Sequence, residues 1–448
     1  MATPALPLTA FEEFLIWEDR PAYPWSIFAR LRFSGRIDRR AFEAAVETIM
    51  PRHPLLISRL EIRGRRLFWV VQPGALPEVI WSAVPSGEAF PPARRQDLRE
   101  ELGLRLFIVE SPDSCDVTLQ FHHACCDGAG MAVFGADLLI AYALATGAHS
   151  RRLQLSPLDP GRLARRGAYG LNLWKFAKLL PGQMSDVAGI RQFFARTPVP
   201  LLPHRVARDD DPLPTGFPAT RTHTFTSAET AALYQTAQRL GVTVNDLLAR
   251  DIFLALYDWR ARHGGRDDDA WLRLMVPTDL RTPADRLLPA ANVVGSVFLD
   301  RRGSDFADPA RLLAGIASEL QDTKDNRLGL VFIYSLHALG LLPGALRRNA
   351  RRDCCSVTSI FSNMGKLLRR LPLPKDNGRH IVGNVILERI EGVAPIRPYN
   401  CVTFLATEDA GRLTMTLHYD PRPVGPAQAD DLAATFARRV QATVSGNT

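Results

Sequence analysis

The stretch DVTLQFHHACCDGAG, residues 116–130, changes its periodicity half way along. Val117, Leu119, Phe121 and His123 alternate with Asp116, Thr118, Gln120 and His122, the pattern of a strand with one apolar and one polar face. The segment that follows, GAGMAVFGADLLIAYALATG (128–147), predicts an apolar helix with Gly147 at its C-terminal cap. Strand, tight turn and helix therefore frame two histidines, two cysteines and an aspartate between residues 122 and 127. Three chemistries could draw on them: a metal site, a cysteine nucleophile, or a histidine base whose loop the aspartate braces.

Strand parity separates the candidates. His122 and His123 point to opposite faces and cannot easily share a metal. His122 falls on the polar side as a structural hydrogen-bonding residue, and His123 continues the apolar side toward the interior. Zinc ligands come in separated pairs, whereas here they are crowded together and the only distant candidates are Cys354 and Cys355, so no metal is expected. Cys125 or Cys126 would lie near His123, but no third residue orients such a thiol–imidazole pair, and buried cysteine is usually small apolar filler. The histidine base fits the spacing best. Asp127 can fold back to fix the loop, Gly128 lets the backbone turn into the helix, and the helix N-terminus places partial positive charge near a developing anion.

Working outward, the first third of the chain mixes strands and helices. SIFARLRF (26–33) predicts a strand, Asp38 caps a helix bearing Phe42, Ala45, Val46 and Ile49, and LLISRLEI and RLFWVVQ form a hairpin about Arg63–Arg65. Residues 196–220, with six prolines and an acidic triplet, have the composition of a linker. We therefore expect an N-terminal lobe over 1–195, a linker over 196–220 and a C-terminal lobe over 221–448. In the latter, Ser227 opens a helix, VTVNDLLARDIFLALYDWR (242–260) forms another, WLRLMVP and NVVGSVFL are strands, CVTFLAT and RLTMTLHY form a hairpin about Asp409–Gly411, and a helix ends the chain near 426–444.

Composition narrows the function. A chain of 448 residues with 46% hydrophobic and 23% charged residues is globular and large enough for two lobes. Its formal charge of +8 is carried by scattered arginines, the lysines standing only at 175, 178, 324, 366 and 375. No ribonucleoprotein or zinc-finger motif accompanies them, so nucleic acid is not expected as a partner, though a basic surface suits anionic substrates. The six cysteines lack a C-x-x-C, and MATPALPLTAFEEF has no basic-then-apolar leader pattern, so a reducing cytoplasm is expected. The apolar run 328–346, broken by Ser335, His337 and Pro343, predicts a buried helix. The arginines after it leave open a weak membrane-surface contact over 328–352.

At this point the motif H-H-x-x-x-D-G, here His122, His123, Asp127 and Gly128, resembles the signature of the condensation-domain and CoA-dependent acyltransferase superfamily. PLTAFEEFLIW (7–17), RHPLLISRL (52–60), VTVNDLLARDIFLAL (242–256), VPTDLR (276–281), FSNMGKL (361–367) and LHYDPRPV (417–424) resemble its landmarks in their usual order, over roughly the whole chain. The resemblance implies two chloramphenicol-acetyltransferase-like α/β sandwich lobes in a V, with a tunnel between them. It implies His123 as general base and Asp127 as structural brace, usually paired with an arginine. Arg281 is the candidate partner for Asp127, or else a surface residue at a strand end. Ser362 and Asn363 either line the tunnel near the reacting carbonyl or form a turn. No D-F-G-W-G motif is present, which points away from the plant enzymes of the group. The implied reaction moves an acyl group from acyl-CoA, or from the phosphopantetheine thioester of an acyl carrier protein acting in trans, to a small-molecule hydroxyl or amine, with no bound cofactor and a monomeric enzyme. A catalytically silent module that docks a carrier protein or lipid, and a hydrolase working through Cys125 or Cys126, are the competing expectations.

Overall fold

The computed structural model of the chain describes residues 5–83, 87, 89–147, 153–169, 195–209, 211–265 and 267–446. Residues 1–4, Lys175, Lys178 and Asp210, which entered the sequence reading, lie outside them. Local sequence sets most element ends. Thr9 and Glu12 close a reciprocal capping box on helix Ala10–Glu18, and the Asp38 carboxylate accepts from the Ala41 N–H at 2.9 Å to start helix Arg39–Ile49. The strand Ser114–His122 and the helix Gly128–Ala145 stand where the change of period places them.

The described residues form two large mixed sheets and a small one. The first runs, edge to edge, through Lys375–Asp376, Arg379–Val382, Val385–Val393, Ser26–Ser34, Ser114–His122, Leu104–Glu110 and Glu78–Ser82. Val117, Leu119 and Phe121 turn their common face into one core with Phe42 and Phe134, the rings of Phe121 and Phe134 meeting edge to face at 5.6 Å. Gly128–Ala145 is long and apolar enough to span a membrane, yet Met131, Phe134 and Leu138 are buried in that core. The second sheet runs through Val294–Arg301, Leu272–Asp279, Ser359–Asn363, Val402–Asp409, Arg412–Tyr419 and Thr220–Thr224. Its core takes Leu247 and Phe253 from helix Val244–Arg262 and Leu432 and Phe436 from helix Pro426–Ser445. The small sheet, Ala5–Pro7, Arg66–Val71 and Ser58–Arg63, holds the hairpin about Gly64.

Three sequence expectations need correction. A lobe comprising all of 221–448 is not a spatial unit, because Val385–Val393 returns to the first sheet and pairs antiparallel with Ser26–Ser34, Val393 opposite Phe28. Pairing across so many residues is driven by burial and leaves no local mark in the sequence. The strand foreseen from Leu55 begins at Ser58, since Pro54 starts a single turn of tight helix over Pro54–Ile57. The apolar run 328–346 is not one buried helix: Gly329–Gly340 and Ala345–Ala350 are separated at Pro343 and Gly344, the latter at φ +69°. Leu330, Ile333 and Leu336 are buried, but Leu341 and Leu342 protrude from the turn at 85% and 60% exposure. The segment 196–220 is largely irregular, but it packs closely: Leu201 and Phe217 are buried, and the Pro200 carbonyl accepts from Arg260 at 3.0 Å.

The returning strand is held by a buried ion pair. Arg30 Nε donates to Glu391 Oε2 at 2.7 Å, and neither side chain is exposed. Gly392 lets it approach the second sheet, since a Cβ there would lie 2.5 Å from Leu405 Cδ2. Thr407 Oγ1 donates across to the Ile390 carbonyl at 2.7 Å. Removing one partner of such a pair leaves a buried charge uncompensated. Glu391→Gln should therefore cost about 3–5 kcal/mol in chemical denaturation with an unchanged slope, whereas a loss below about 1 kcal/mol would show that the returning strand is peripheral.

Candidate active site

The turn after Ser114–His122 is built from both of its ends. The strand stops at His122, so parity alone does not place His123, but the His123 N–H still donates to the Trp25 carbonyl at 2.7 Å and extends the ladder by one rung. His122 is buried. Its Nδ1 accepts from the Ala124 N–H at 3.2 Å, which puts the ring proton on Nε2, 3.7 Å from Asp19 Oδ1. Asp19 also accepts from the Trp25 N–H at 2.9 Å and from Arg95 at 2.6 Å, so His122 belongs to a structural network beneath the turn.

Asp127 is the most heavily bonded carboxylate of the turn. Arg281 grips it with both terminal nitrogens at 2.8 and 2.9 Å, and the N–H groups of Gly130 and Val293 donate to it at 2.8 and 2.7 Å. Burial alone would raise its pKa, but the charge and hydrogen bonds of Arg281, with those two backbone donors, outweigh it and hold the carboxyl below the usual range. The same residue caps helix Gly128–Ala145. Arg281, from the end of strand Leu272–Asp279, is thus an inter-sheet partner and not a free surface residue.

The buried segment 290–293 crosses beneath this turn; the sequence predicts a strand from Asn292, but the strand starts at Val294, and Asn292 and Val293 belong to this crossing. The Ala291 carbonyl accepts from Arg281 at 2.9 Å and from the Asp127 N–H at 3.2 Å, and the Ala290 N–H donates to His53 Nδ1 at 3.1 Å. His53 Nε2 in turn meets Asp137 at 3.2 Å. Gly130 is what lets the segment pass, because a Cβ there would lie 2.7 Å from the Ala291 carbonyl oxygen and 2.8 Å from its nitrogen. The local signal was the second glycine of D-G-A-G; His53 stood only within the landmark RHPLLISRL and Asn292 only at the start of an expected strand, neither pointing to these partners.

His123 itself is half-buried. Its ring stands edge-on to Trp25, centroids 5.6 Å apart. Asn292 Nδ2 donates to its backbone carbonyl at 2.7 Å and lies 3.4 Å from its Nδ1. Burial pushes the imidazole pKa below its ordinary value, against the opposing pull of a hydrogen bond to its own carbonyl and of the Asp127 charge. A neutral imidazole keeps one ring nitrogen free to accept a proton.

The cysteines are poorly placed for nucleophilic work. Cys125 and Cys126 are fully buried, and burial pushes both thiols well up, away from the reactive thiolate. Cys125 sits against Gly103, and the Cys126 thiol donates to the Asp127 carbonyl at 3.1 Å. The F-S-N-M-G segment does reach the turn, though through Met364: a Cβ on Gly128 would lie 2.4 Å from the Met364 methyl. Ser362 Oγ points to the Met364 sulfur at 3.7 Å. Asn363 is exposed, and its Oδ1 accepts from the Gly365 N–H at 2.9 Å, so its side chain closes a turn.

Removing the brace should register in stability and in its pH dependence. Arg281→Ala leaves a buried carboxylate unpaired and should cost about 3–5 kcal/mol. Because the Asp127 pKa is depressed on folding, its contribution is present above the ordinary carboxyl value of 3.8 and is lost as pH falls from there through the depressed value. Asp127→Asn should accordingly flatten the loss of stability on acidification; an unchanged acid unfolding curve would contradict the brace.

No protein-family model matches the sequence, and no curated protein does. Solved structures do. The first condensation domain of the CDA synthetase aligns over 99% of this chain and 96% of its own at TM-score 0.70 and 15% identity. The TRI3 trichothecene 15-O-acetyltransferase of Fusarium sporotrichioides aligns over 98% and 95% at 0.69 and 12%. Polyketide synthase associated protein 5 of Mycobacterium tuberculosis aligns over 98% and 99% at 0.61 and 16%. From end to end, the chain has the mixed α/β fold of the condensation domains.

Proposed function

We propose that the protein is an acyltransferase in which His123 is the general base. The observation that carries this reading is the imidazole itself, kept neutral by burial and presented on a loop that Asp127, Arg281 and Asn292 hold from the second sheet. The donor is a thioester, either acyl-CoA or the phosphopantetheine arm of a carrier protein, and the acceptor a small molecule with a hydroxyl or amine. Likeness of fold to a condensation domain and to an O-acetyltransferase supports that pairing. The two substrates approach His123 along a tunnel between the lobes.

In the proposed reaction the acceptor X–H hydrogen-bonds to Nε2 of His123. As X attacks the thioester carbonyl, the proton passes to Nε2 and a tetrahedral oxyanion forms. Its collapse breaks the C–S bond, and the imidazolium returns the proton to the departing sulfur, so the enzyme ends unchanged. The N-terminus of helix Gly128–Ala145 supplies favourable potential near the oxyanion. Asp127 acts by fixing the loop; its four hydrogen bonds are all spent on Arg281, Gly130 and Val293. The protruding Leu341 and Leu342, followed by exposed Arg347 and Arg348, support a hydrophobic acceptor met at a lipid surface, and the six free cysteines support work in the cytoplasm. The reading includes action as a monomer.

His123→Ala should lower acyl transfer by about 10²–10⁴-fold while leaving the melting temperature unchanged. Retention of near-full activity would remove His123 from the chemistry, whereas absence of transfer from any thioester in the wild type, with tight carrier-protein binding, would favour the silent docking module. The imidazole must be neutral to accept a proton, and its pKa is depressed from 6.5. The rate should therefore be flat near pH 7 and fall on the acid side, with its inflection below 6.5.

A further inference from the structure

We infer that His53 is a positioning residue: through one ring nitrogen it holds the crossing segment that carries Asn292 to the His123 loop. This rests on the reading of His123 as a base. His53 is fully buried at the start of the tight turn Pro54–Ile57, and its two nitrogens face two different elements. Nδ1 accepts from the Ala290 N–H at 3.1 Å, while Nε2 lies 3.2 Å from Asp137 Oδ2 on helix Gly128–Ala145. A backbone N–H can only donate, so Nδ1 must be unprotonated and the ring neutral, with its proton on Nε2 directed at the carboxylate. Arg52 Nε holds the same Asp137 oxygen at 2.7 Å, and the Phe134 ring stands edge-on to the imidazole, centroids 5.2 Å apart. Burial keeps the His53 pKa below its ordinary value despite the Asp137 carboxylate, and the Arg52 charge adds to that effect.

Helix Gly128–Ala145 thereby grips the crossing segment at both of its ends. Asp127, at the start of the helix, takes the Val293 N–H at 2.7 Å; Asp137, further along, acts through His53 on Ala290. Between the two grips, Asn292 Nδ2 donates to the His123 backbone carbonyl at 2.7 Å. The fit leaves no slack, since a Cβ on Gly130 would lie 2.8 Å from the Ala291 nitrogen. Without the His53 acceptor, the Ala290 N–H is buried and unpaired, and that end of the segment gains by moving toward water. Asn292 moves with it, and the His123 loop loses its bond from the second sheet. A doubly protonated His53 would have the same effect, because it would set one N–H against another; the tie exists only with a neutral ring.

Nitrogen NMR on protein labelled in histidine gives the first test, with His53→Asn used to assign the signal. At neutral pH His53 should show its proton on Nε2 and an unprotonated Nδ1; a proton on Nδ1 overturns the inference, whatever the variants do. Two substitutions then separate the ring nitrogens. In His53→Asn the side-chain oxygen takes the place of Nδ1 and still accepts from Ala290, whereas in His53→Gln the amide nitrogen reaches the place of Nε2 and leaves Ala290 without an acceptor. His53→Gln should open the Ala290 amide to fast hydrogen exchange and lower kcat about 10–100-fold with KM held within about two-fold, as a misplaced catalytic group predicts. His53→Asn should keep that amide protected and kcat within about three-fold of wild type. Equal kcat in the two variants, or a protected Ala290 amide in His53→Gln, would reduce His53 to a packing residue and overturn the inference. Failure of the base reading looks different: the Ala290 amide still opens in His53→Gln, but His123→Ala keeps its activity.

Discussion

The architecture around His123 depends on one bidentate ion pair, Asp127 to Arg281, made between the two large sheets. A buried carboxylate is costly unless every lone pair is engaged. Here two guanidinium N–H groups and two backbone N–H groups engage it, one of the latter from its own helix and the other from the crossing segment. The pair therefore joins strand end, turn, helix start and crossing segment at one point. The half-buried histidine four residues earlier inherits its position from that point.

The crossing segment shows why the site needs both halves of the chain. Ala290, Ala291, Asn292 and Val293 are buried beneath the turn, with Gly130 giving way to the Ala291 backbone. The strand Val385–Val393 makes the reciprocal crossing, carrying Glu391 to Arg30 in the first sheet. Two exchanges in opposite directions tie the sheets together. Displacement of either sheet would strain the bonds that hold His123, so the geometry of the base is a property of the whole chain.

Much of this was legible in the sequence because it is local. The alternation of 116–122, the helix from Gly128 and the caps at Thr9 and Asp38 follow from residues within a few positions of each other. Arg281 was legible only through motif resemblance, since nothing in V-P-T-D-L-R itself points to a residue 154 positions away. Asn292, His53 and the destination of Val385–Val393 were not legible, because their partners lie 169, 237 and about 360 residues distant and pairing at that range is decided by packing. The two cysteines misled in the other direction. Their crowding beside the histidines suggests reactivity, but full burial keeps their thiols protonated.

The central claim is direct transfer assisted by a neutral histidine, with no acylated enzyme on the path. Intact-protein mass measurement alongside thiol release tests it most directly. With an acyl thioester alone, the account predicts an unchanged protein mass and no release of thiol beyond background. Adding a competent acceptor should release thiol in step with acylated product, the protein mass still unchanged. A stable acyl increment on the protein before acceptor is added, mapping to Cys125 or Cys126, would contradict it.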